Sequence, residues 1–288
     1  MQSVKAAKTK RREAFLNRFD LASCKGLEIG PFDRPVFNRD RFPGILYADV
    51  QDTETLRNMA ARAAEKGKPR DPADVVPVDH VLLDRQLDEV IPHRSLDFVF
   101  CAHVLEHVPD MIRVLQGVER ILRPGGVFLM AYPDRRYTYD IDRPATTLAQ
   151  LRDRHTRGLT RPDPDIVREH FLMNRPVNVR ALWEGKSRAI GSRRHTPEFA
   201  EARAKAARDA YVDVHCNVLS SAEFGPLMQA LRAEGLIGLD LALVEETRAP
   251  QHEFYAALVR PMPQIERIAR GLLRRAGRPG IRSNPRIR

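Results

Sequence analysis

The chain has 288 residues, 43% of them hydrophobic, enough to bury a sizeable core in one large domain or in a domain carrying a big insertion. No apolar run approaches the roughly 18 residues of a membrane-spanning helix, and the basic N-terminus has no apolar stretch behind it, so neither a span nor a secretory signal is expected. The formal net charge is +10, yet residues 1–19 carry +5 and residues 261–288 carry +7, which leaves the body between them at −2. A nucleic-acid enzyme more often carries its basic stripe on the folded body, so no nucleic-acid partner is expected. Cys24, Cys101 and Cys216 form no Cys-x-x-Cys pair and are odd in number, which fits a reduced, cytoplasmic protein.

Residues 4–19 can form a helix with Ala7, Phe15, Leu16 and Phe19 on one side. Gly26-Leu27-Glu28-Ile29-Gly30-Pro31-Phe32 then reads as a buried parallel strand breaking into a tight turn. Gly30 permits positive φ and close ligand approach there. A second apolar run, Ile45 to Ala48, ends at Asp49. In nucleotide-binding βαβ units an acid about 20 residues beyond the glycine turn holds the ribose hydroxyls. Thr53 to Lys66 reads as a helix, Val75 to Leu83 as a third strand closed by Asp84, and Ser95 to Ala102 as a fourth. Pro109 and Asp110 open a helix to about Leu122, with Met111, Val114, Leu115, Val118 and Leu122 on one face. Arg123-Pro124-Gly125-Gly126 reads as a helix stop and turn before a fifth strand, Val127 to Ala131. This alternation predicts a parallel, doubly wound α/β sheet.

From about Pro133 to Leu219 no strand is predicted. Helical pieces fall near 145–157, 165–173 and 196–211, a length that exceeds a plain loop and reads as a mostly helical insertion over the carboxyl ends of the strands. A helix from Ser221 to Glu234 and strands at Ile237 to Val244 and His252 to Val259 follow, with Arg248-Ala249-Pro250-Gln251 suiting a hairpin link. Beyond Pro261, Ile265, Ile268, Ala269, Leu272 and Leu273 share a helical face with Arg267, Arg270, Arg274 and Arg275 elsewhere. That is the form of a basic surface-seeking helix, and peripheral contact with anionic lipid is the partner it would take.

Several of these pieces, in this order and spacing, resemble the class I S-adenosylmethionine-dependent methyltransferases, in particular the type 11 group. They are Leu27-Glu28-Ile29-Gly30, Tyr47-Ala48-Asp49, Ser95-Leu96-Asp97-Phe98-Val99, His103-Val104-Leu105-Glu106-His107-Val108-Pro109-Asp110 and Leu122-Arg123-Pro124-Gly125-Gly126, which together span about residues 25–132. The resemblance implies a Rossmann-like seven-stranded sheet whose last strand is antiparallel, with S-adenosylmethionine at the ends of strands one, two and four. It divides the chain into an N-terminal basic helix (1–24), the cofactor-binding half of the sheet (25–132), the substrate-side insertion (133–219), the end of the same α/β domain (220–260) and a basic tail (261–288). By the same resemblance Glu28, Gly30 and Pro31 would border the methionine part of the cofactor, Asp49 the ribose and Asp84 the adenine amine. Cys101, Ala102 and His103 would line the floor near the sulfonium. The family's turn carries two or three glycines after the acid; here Gly30 is followed by Pro31, Phe32 and Asp33.

Asp97 follows the turn into strand four and is read as structural. Candidate general bases are His107, His215 and Asp134, because imidazole titrates near neutrality and a hydroxyl acceptor must lose a proton; His170 is a weaker candidate. Glu106 and His107 could equally orient their loop. Asp134-Arg135-Arg136-Tyr137, with Asp140, Asp142 and Arg143, could bind a polar substrate such as a sugar or glycan, or be a solvated loop. No His-x-x-x-His or comparable spacing appears, so no metal site is expected. A nicotinamide-dependent oxidoreductase is disfavoured by the missing Gly-x-Gly-x-x-Gly. A non-catalytic cofactor-binding regulator stays open, as does a nucleic-acid methyltransferase. The latter is weakened by Ala131-Tyr132-Pro133-Asp134 where amino-methylating DNA enzymes often carry Asn/Asp-Pro-Pro-Tyr/Phe.

Overall fold

The computed structural model describes residues 11–264. Seven strands make one sheet: β1 (Gly26–Ile29), β2 (Ile45–Asp49), β3 (His80–Val81), β4 (Leu96–Ala102), β5 (Leu122–Pro133), β6 (Asp240–Glu245) and β7 (Glu253–Val259). Their order is β3-β2-β1-β4-β5-β7-β6. The first five are parallel to their neighbours, and β7 lies antiparallel between β5 and β6. This is the Rossmann-like, doubly wound α/β sheet with an antiparallel last strand. Helices are α1 at residues 11–16, α2 (Thr53–Glu65), α3 (Leu87–Val90), α4 (Met111–Ile121), α5 (Leu148–Thr156), α6 (Pro164–Met173), α7 (Val179–Trp183), α8 (Pro197–Ala206) and α9 (Ser221–Ala233).

The central strands are apolar on both faces because both faces are covered. Leu27, Ile29, Val99, Cys101, Phe128 and Met130 pack into one core with Met111, Leu115 and Val118 of α4 and Phe224, Leu227 and Leu231 of α9. Phe98, Phe100, Val127, Leu129 and Ala131 face the other way, onto Phe15 of α1, Phe19, Phe37 and Phe42. Phe15 meets Phe100 and Tyr255 edge-on at 5.7 Å each, and Phe37 meets Phe100 at 5.1 Å. The N-terminal segment is therefore the lid of the second core, each of its buried rings contributing roughly 1.5–3 kcal/mol.

Four local expectations change. The predicted third strand shrinks to His80–Val81. Pro72–Asp74 forms a short 3₁₀ turn, Pro77 has no amide to donate, and Val75 and Val78 are spent packing against Leu56 and Ala60 of α2. The predicted turn at Arg123–Gly126 is instead absorbed into β5 as an irregularity. Leu122 already pairs with Leu96, and the next partners are Val127 and Phe98. The sixth strand starts at Asp240 rather than Ile237, since Ile237 and Leu239 turn into the core and the Gly238 amide donates to Glu119 (2.6 Å). A short helix, α7, was not expected; Asn178 caps it by accepting from the Ala181 amide.

Between β5 and α9 the chain forms α5 to α8 and returns to the strand ends through residues 214–219. Asn217 Nδ2 donates to the Leu105 and Val108 carbonyls, and the Cys216 and Asn217 amides donate to the Glu106 carbonyl. Tyr132 at the end of β5 donates its hydroxyl to the Asn217 carbonyl (2.8 Å). This segment is thus stitched onto the loop after β4. No described helix is long and apolar enough to cross a membrane. The basic helix expected over 265–275, most of the basic tail and the first ten residues of the N-terminal helix lie outside the described residues.

Asp97 is 1% exposed and accepts from the Lys25 amide and from Arg123, both at 2.8 Å, tying the entry of β1 to that of β4 and to β5. Replacing it with alanine leaves a buried amide and a guanidinium without their acceptor. Asp97→Ala should lower the unfolding free energy by about 3 kcal/mol in urea titrations, with Asp97→Asn intermediate.

Candidate cofactor and acceptor site

The turn after β1 is built by one buried acid. Glu28, 2% exposed, accepts from the Val36 amide (2.8 and 3.0 Å) and the Phe37 amide (2.9 Å), which curls residues 30–37 back over the strand end. Gly30 takes φ +68° and donates its amide to the Ala48 carbonyl at 2.8 Å. A Cβ added there would stand 3.1 Å from Val104. Phe32 is also at positive φ (+48°), a strained position for an aromatic residue. Arg70 lies over the Phe32 ring at 4.6 Å and is ion-paired to Asp33. Together these enclose a cavity of about 260 Å³ whose floor is Gly30, Pro31, Ala102 and His103 and whose rim carries Arg11, Arg34 and Arg70.

Asp49 lies one residue beyond the Ile29–Ala48 pair, beside the Gly30 turn. It is buried, and Oδ1 accepts from the Val50 amide (2.8 Å). Burial pushes its carboxyl upward against the pull of the Val50 and Gln51 amides. The next side chain, Val50, is 56% exposed, and Leu83 after β3 is 61% exposed at φ +44°. The Leu82 and Leu83 amides donate to the Asp49 and Val50 carbonyls, so the two apolar side chains flank one spot beyond the strand ends. Asp84 is in the same turn and exposed. Cys101, 1% exposed, is held as a thiol by burial and packs in the core rather than lining the cavity.

His103 sits at φ +55°, which aims its ring across the strand ends. Nε2 is 2.7 Å from Glu253 Oε2, and Nδ1 is 3.2 Å from Glu106 Oε1. Burial alone would lower its pKa, but the Glu106 and Glu253 carboxylates outweigh that and raise it to about 9, so His103 is an imidazolium at neutral pH. Glu253 also takes a two-pronged bond from Arg11 and a hydroxyl from Tyr255 (3.0 Å). Burial opposes its charge, and the His103 and Arg11 cations hold it well below the usual carboxylate range.

Behind His103 lies a second cluster. Glu106 is fully buried. His107 Nε2 stands 3.9 Å from Glu106 Oε1, and its Nδ1 2.8 Å from Asp213. Burial would lower His107, but Asp213 and Glu106 raise it. His215 Nδ1 is 2.5 Å from Asp140 and Nε2 2.6 Å from the Tyr139 hydroxyl. Asp140 is anchored by Arg143 (2.8 Å), which also donates to the His215 carbonyl. His170 is buried nearby; burial and the Arg143 charge lower it to about 3, leaving it neutral. Asp134 is elsewhere. It is 0% exposed and accepts from the Arg136 amide and guanidinium and from Thr247 (2.7 Å). Its lone pairs are spent, so the geometry gives it a structural role in place of the expected base.

A family model described as a methyltransferase domain matches residues 16–170, more than half of the chain. The chain belongs to this methyltransferase family. Its class is that of the S-adenosylmethionine-dependent, class I enzymes. No curated protein matches the sequence. Among solved structures, a Methanosarcina mazei S-adenosylmethionine-dependent methyltransferase aligns with 14% identity over 87% of this chain and 98% of its own, at TM-score 0.42. One from Mesorhizobium loti aligns with 16% identity over 86% and 98%, at 0.44. The 1,6-didemethyltoxoflavin-N1-methyltransferase of Burkholderia thailandensis aligns with 13% identity over 90% and 78%, at 0.43.

The methyltransferase's residues fit its cofactor. The cradle at Gly30 would be narrowed by any Cβ, the buried carboxylate of Asp49 would hold a diol, and Val50 and Leu83 would give apolar cover to a base. The arginines at the cavity rim suit the methionine carboxylate. Glu28 lines the same cavity and also shapes its loop. Arg11 and Arg70 escaped sequence reasoning because they reach the methyltransferase's cavity from α1 and from beyond α2, and Glu253 because it holds Arg11 and His103 from β7. No local motif marks them.

Glu253 gives a pH test. Its folded pKa is lowered, so its contribution is present above its ordinary value of about 4.5 and fades as pH falls toward the folded value. The His103 contribution is full below about 6.5 and fades as pH rises through about 9. Glu253→Gln should cost roughly 3–5 kcal/mol at pH 7 by denaturant titration, because Arg11 loses its ion-pair partner and His103 one of its two. It should also flatten the loss of stability between pH 7 and 9.

Proposed function

We propose that this methyltransferase places the methyl group on a hydroxyl of a small polar acceptor, a sugar or glycan being the class it suits. One observation carries the reading: His103, which lines the cofactor cavity, touches Glu106 on its far side, and Glu106 leads directly to His107 and His215. The cavity floor is thus continuous with a buried histidine–carboxylate cluster able to take a proton. When bound, S-adenosylmethionine supplies an electrophilic methyl group for an in-line displacement.

The chain's own residues do the remaining work. Holding the acceptor in line removes on the order of 7–11 kcal/mol of barrier. His215, with Asp140 fixing Nδ1, keeps Nε2 as the proton-accepting nitrogen, and the Tyr139 hydroxyl in contact with it marks where an acceptor hydroxyl can stand. His107 is the second candidate, oriented by Asp213. His103 is already protonated, so its part is to hold Glu106 and Glu253 in place. Support for a sugar comes from Tyr137 and Trp183, whose rings stack at 4.2 Å. Trp183 is tied to the Gln251 carbonyl, next to His252 and so to His103. Such a face suits the apolar side of a pyranose.

Incubation with methyl-labelled S-adenosylmethionine against sugar, glycan, protein and nucleic-acid fractions tests this. Label is expected in the carbohydrate fractions, and His215→Ala should lower kcat roughly 10²–10⁴-fold with donor affinity kept. Label found in protein or nucleic acid alone would overturn the assignment.

A further inference from the structure

Glu106, His107 and His215 come from two segments more than a hundred residues apart, yet each offers a ligand-type atom and all three lie within 4.8 Å of one another. Glu106 is 0% exposed, and neither carboxylate oxygen has a hydrogen-bond partner among the described residues. Oε1 faces the His103 cation at 3.2 Å, which leaves Oε2 the freer oxygen. Oε2 is a buried acceptor with nothing among the described residues to accept from, and a group that met it would remove the cost of leaving it bare.

Both histidines have an acid beside Nδ1. His215 Nδ1 is hydrogen-bonded to Asp140 at 2.5 Å, which selects the tautomer whose lone pair is on Nε2. His107 Nδ1 stands 2.8 Å from Asp213 without hydrogen-bond geometry. His107 Nε2 points toward Glu106 (3.9 Å), and His215 Nε2 accepts from the Tyr139 hydroxyl. Carboxylate-backed imidazoles converging on an acid are the usual outer support of a metal ligand set. We infer that Glu106, His107 and His215 form a binding site for one divalent transition-metal ion of the zinc class.

Two imidazoles and one carboxylate suit zinc, with a fourth position open, whereas magnesium and calcium favour all-oxygen shells. Ligand atoms around tetrahedral zinc stand roughly 3.3 Å apart, so the three groups, now within 4.8 Å, would close by up to about 1.5 Å, and His215 would exchange the Tyr139 hydroxyl for the ion. The other grouping, His103, His252 and Glu253, is a poorer site because Glu253 is already saturated by Arg11, His103 and Tyr255. The site deepens the hydroxyl-acceptor reading and rests on it only for its consequence: with the ion bound, His215 Nε2 is a ligand and no longer the base, and the metal takes over activation of the acceptor. An ion there would bind the acceptor oxygen, whose proton leaves to solvent before the oxygen–carbon bond forms and the sulfur–methyl bond breaks.

Binding is measured without donor or acceptor, so failure of the acceptor assignment leaves it untouched. Untagged, chelator-stripped protein is titrated with zinc chloride by calorimetry and with cobalt(II) by visible absorption. One equivalent of zinc and a low-coordination cobalt band are expected in wild type, with both lost in Glu106→Gln and His215→Ala. Asp213 is exposed (70% of its side chain), so Asp213→Asn should fold normally; it should weaken zinc roughly 10–100-fold. Folding of each variant is checked by circular dichroism. No zinc uptake by wild type, uptake undiminished in Glu106→Gln and Asp213→Asn, or uptake lost in His252→Ala and kept in His215→Ala would each overturn the site.

Discussion

The buried carboxylate of Glu28 sets the shape on which the rest of the site depends. By accepting the Val36 and Phe37 amides it folds the segment after β1 back on itself, which leaves Gly30 and Pro31 as an open floor and brings Phe32, Asp33 and Arg70 to the rim. A chain with one glycine in this turn cannot wrap a ligand by backbone flexibility alone. Here the acid and the left-handed residues Gly30 and Phe32 supply the curvature.

The second organising feature is the sharing of charge across β7. Glu253 holds Arg11 from α1 and His103 from the end of β4, and His103 in turn meets Glu106. The N-terminal segment, the sheet and the loop after β4 are thus one electrostatic unit. Burial would neutralise each member singly; together they stay charged, the carboxylate pulled down and the imidazole pushed up. The same unit separates the surroundings of the two histidines that follow β4: His103 lies between the carboxylates of Glu106 and Glu253, while His107 lies between those of Glu106 and Asp213.

Much of the architecture was legible because it is local. Apolar runs at Leu27, Val99 and Phe128 alternate with the helical face of Met111, Leu115 and Val118, and Asp49 stands at the expected distance from Gly30. What was not legible depends on partners far along the chain. The run from Val75 to Leu83 has strand composition, but its valines were needed against α2 and Pro77 breaks the pairing. Asp134 reads as an exposed acid after a strand, and only the arrival of Arg136, Ser221 and Thr247 shows it to be saturated. The grouping of Glu106 and His107 with His215 has no sequence spacing at all, because it is made by the return of residues 214–219 to the loop after β4.

The most direct measurement is calorimetric titration of S-adenosylmethionine into the wild-type chain and into Asp49→Ala. Saturable one-to-one binding to wild type and a loss of at least about 1.4 kcal/mol, tenfold in affinity, on removing the Asp49 carboxylate are predicted. Equal affinity in the two proteins, or no binding to wild type, would contradict a cofactor seated between Gly30 and Asp49.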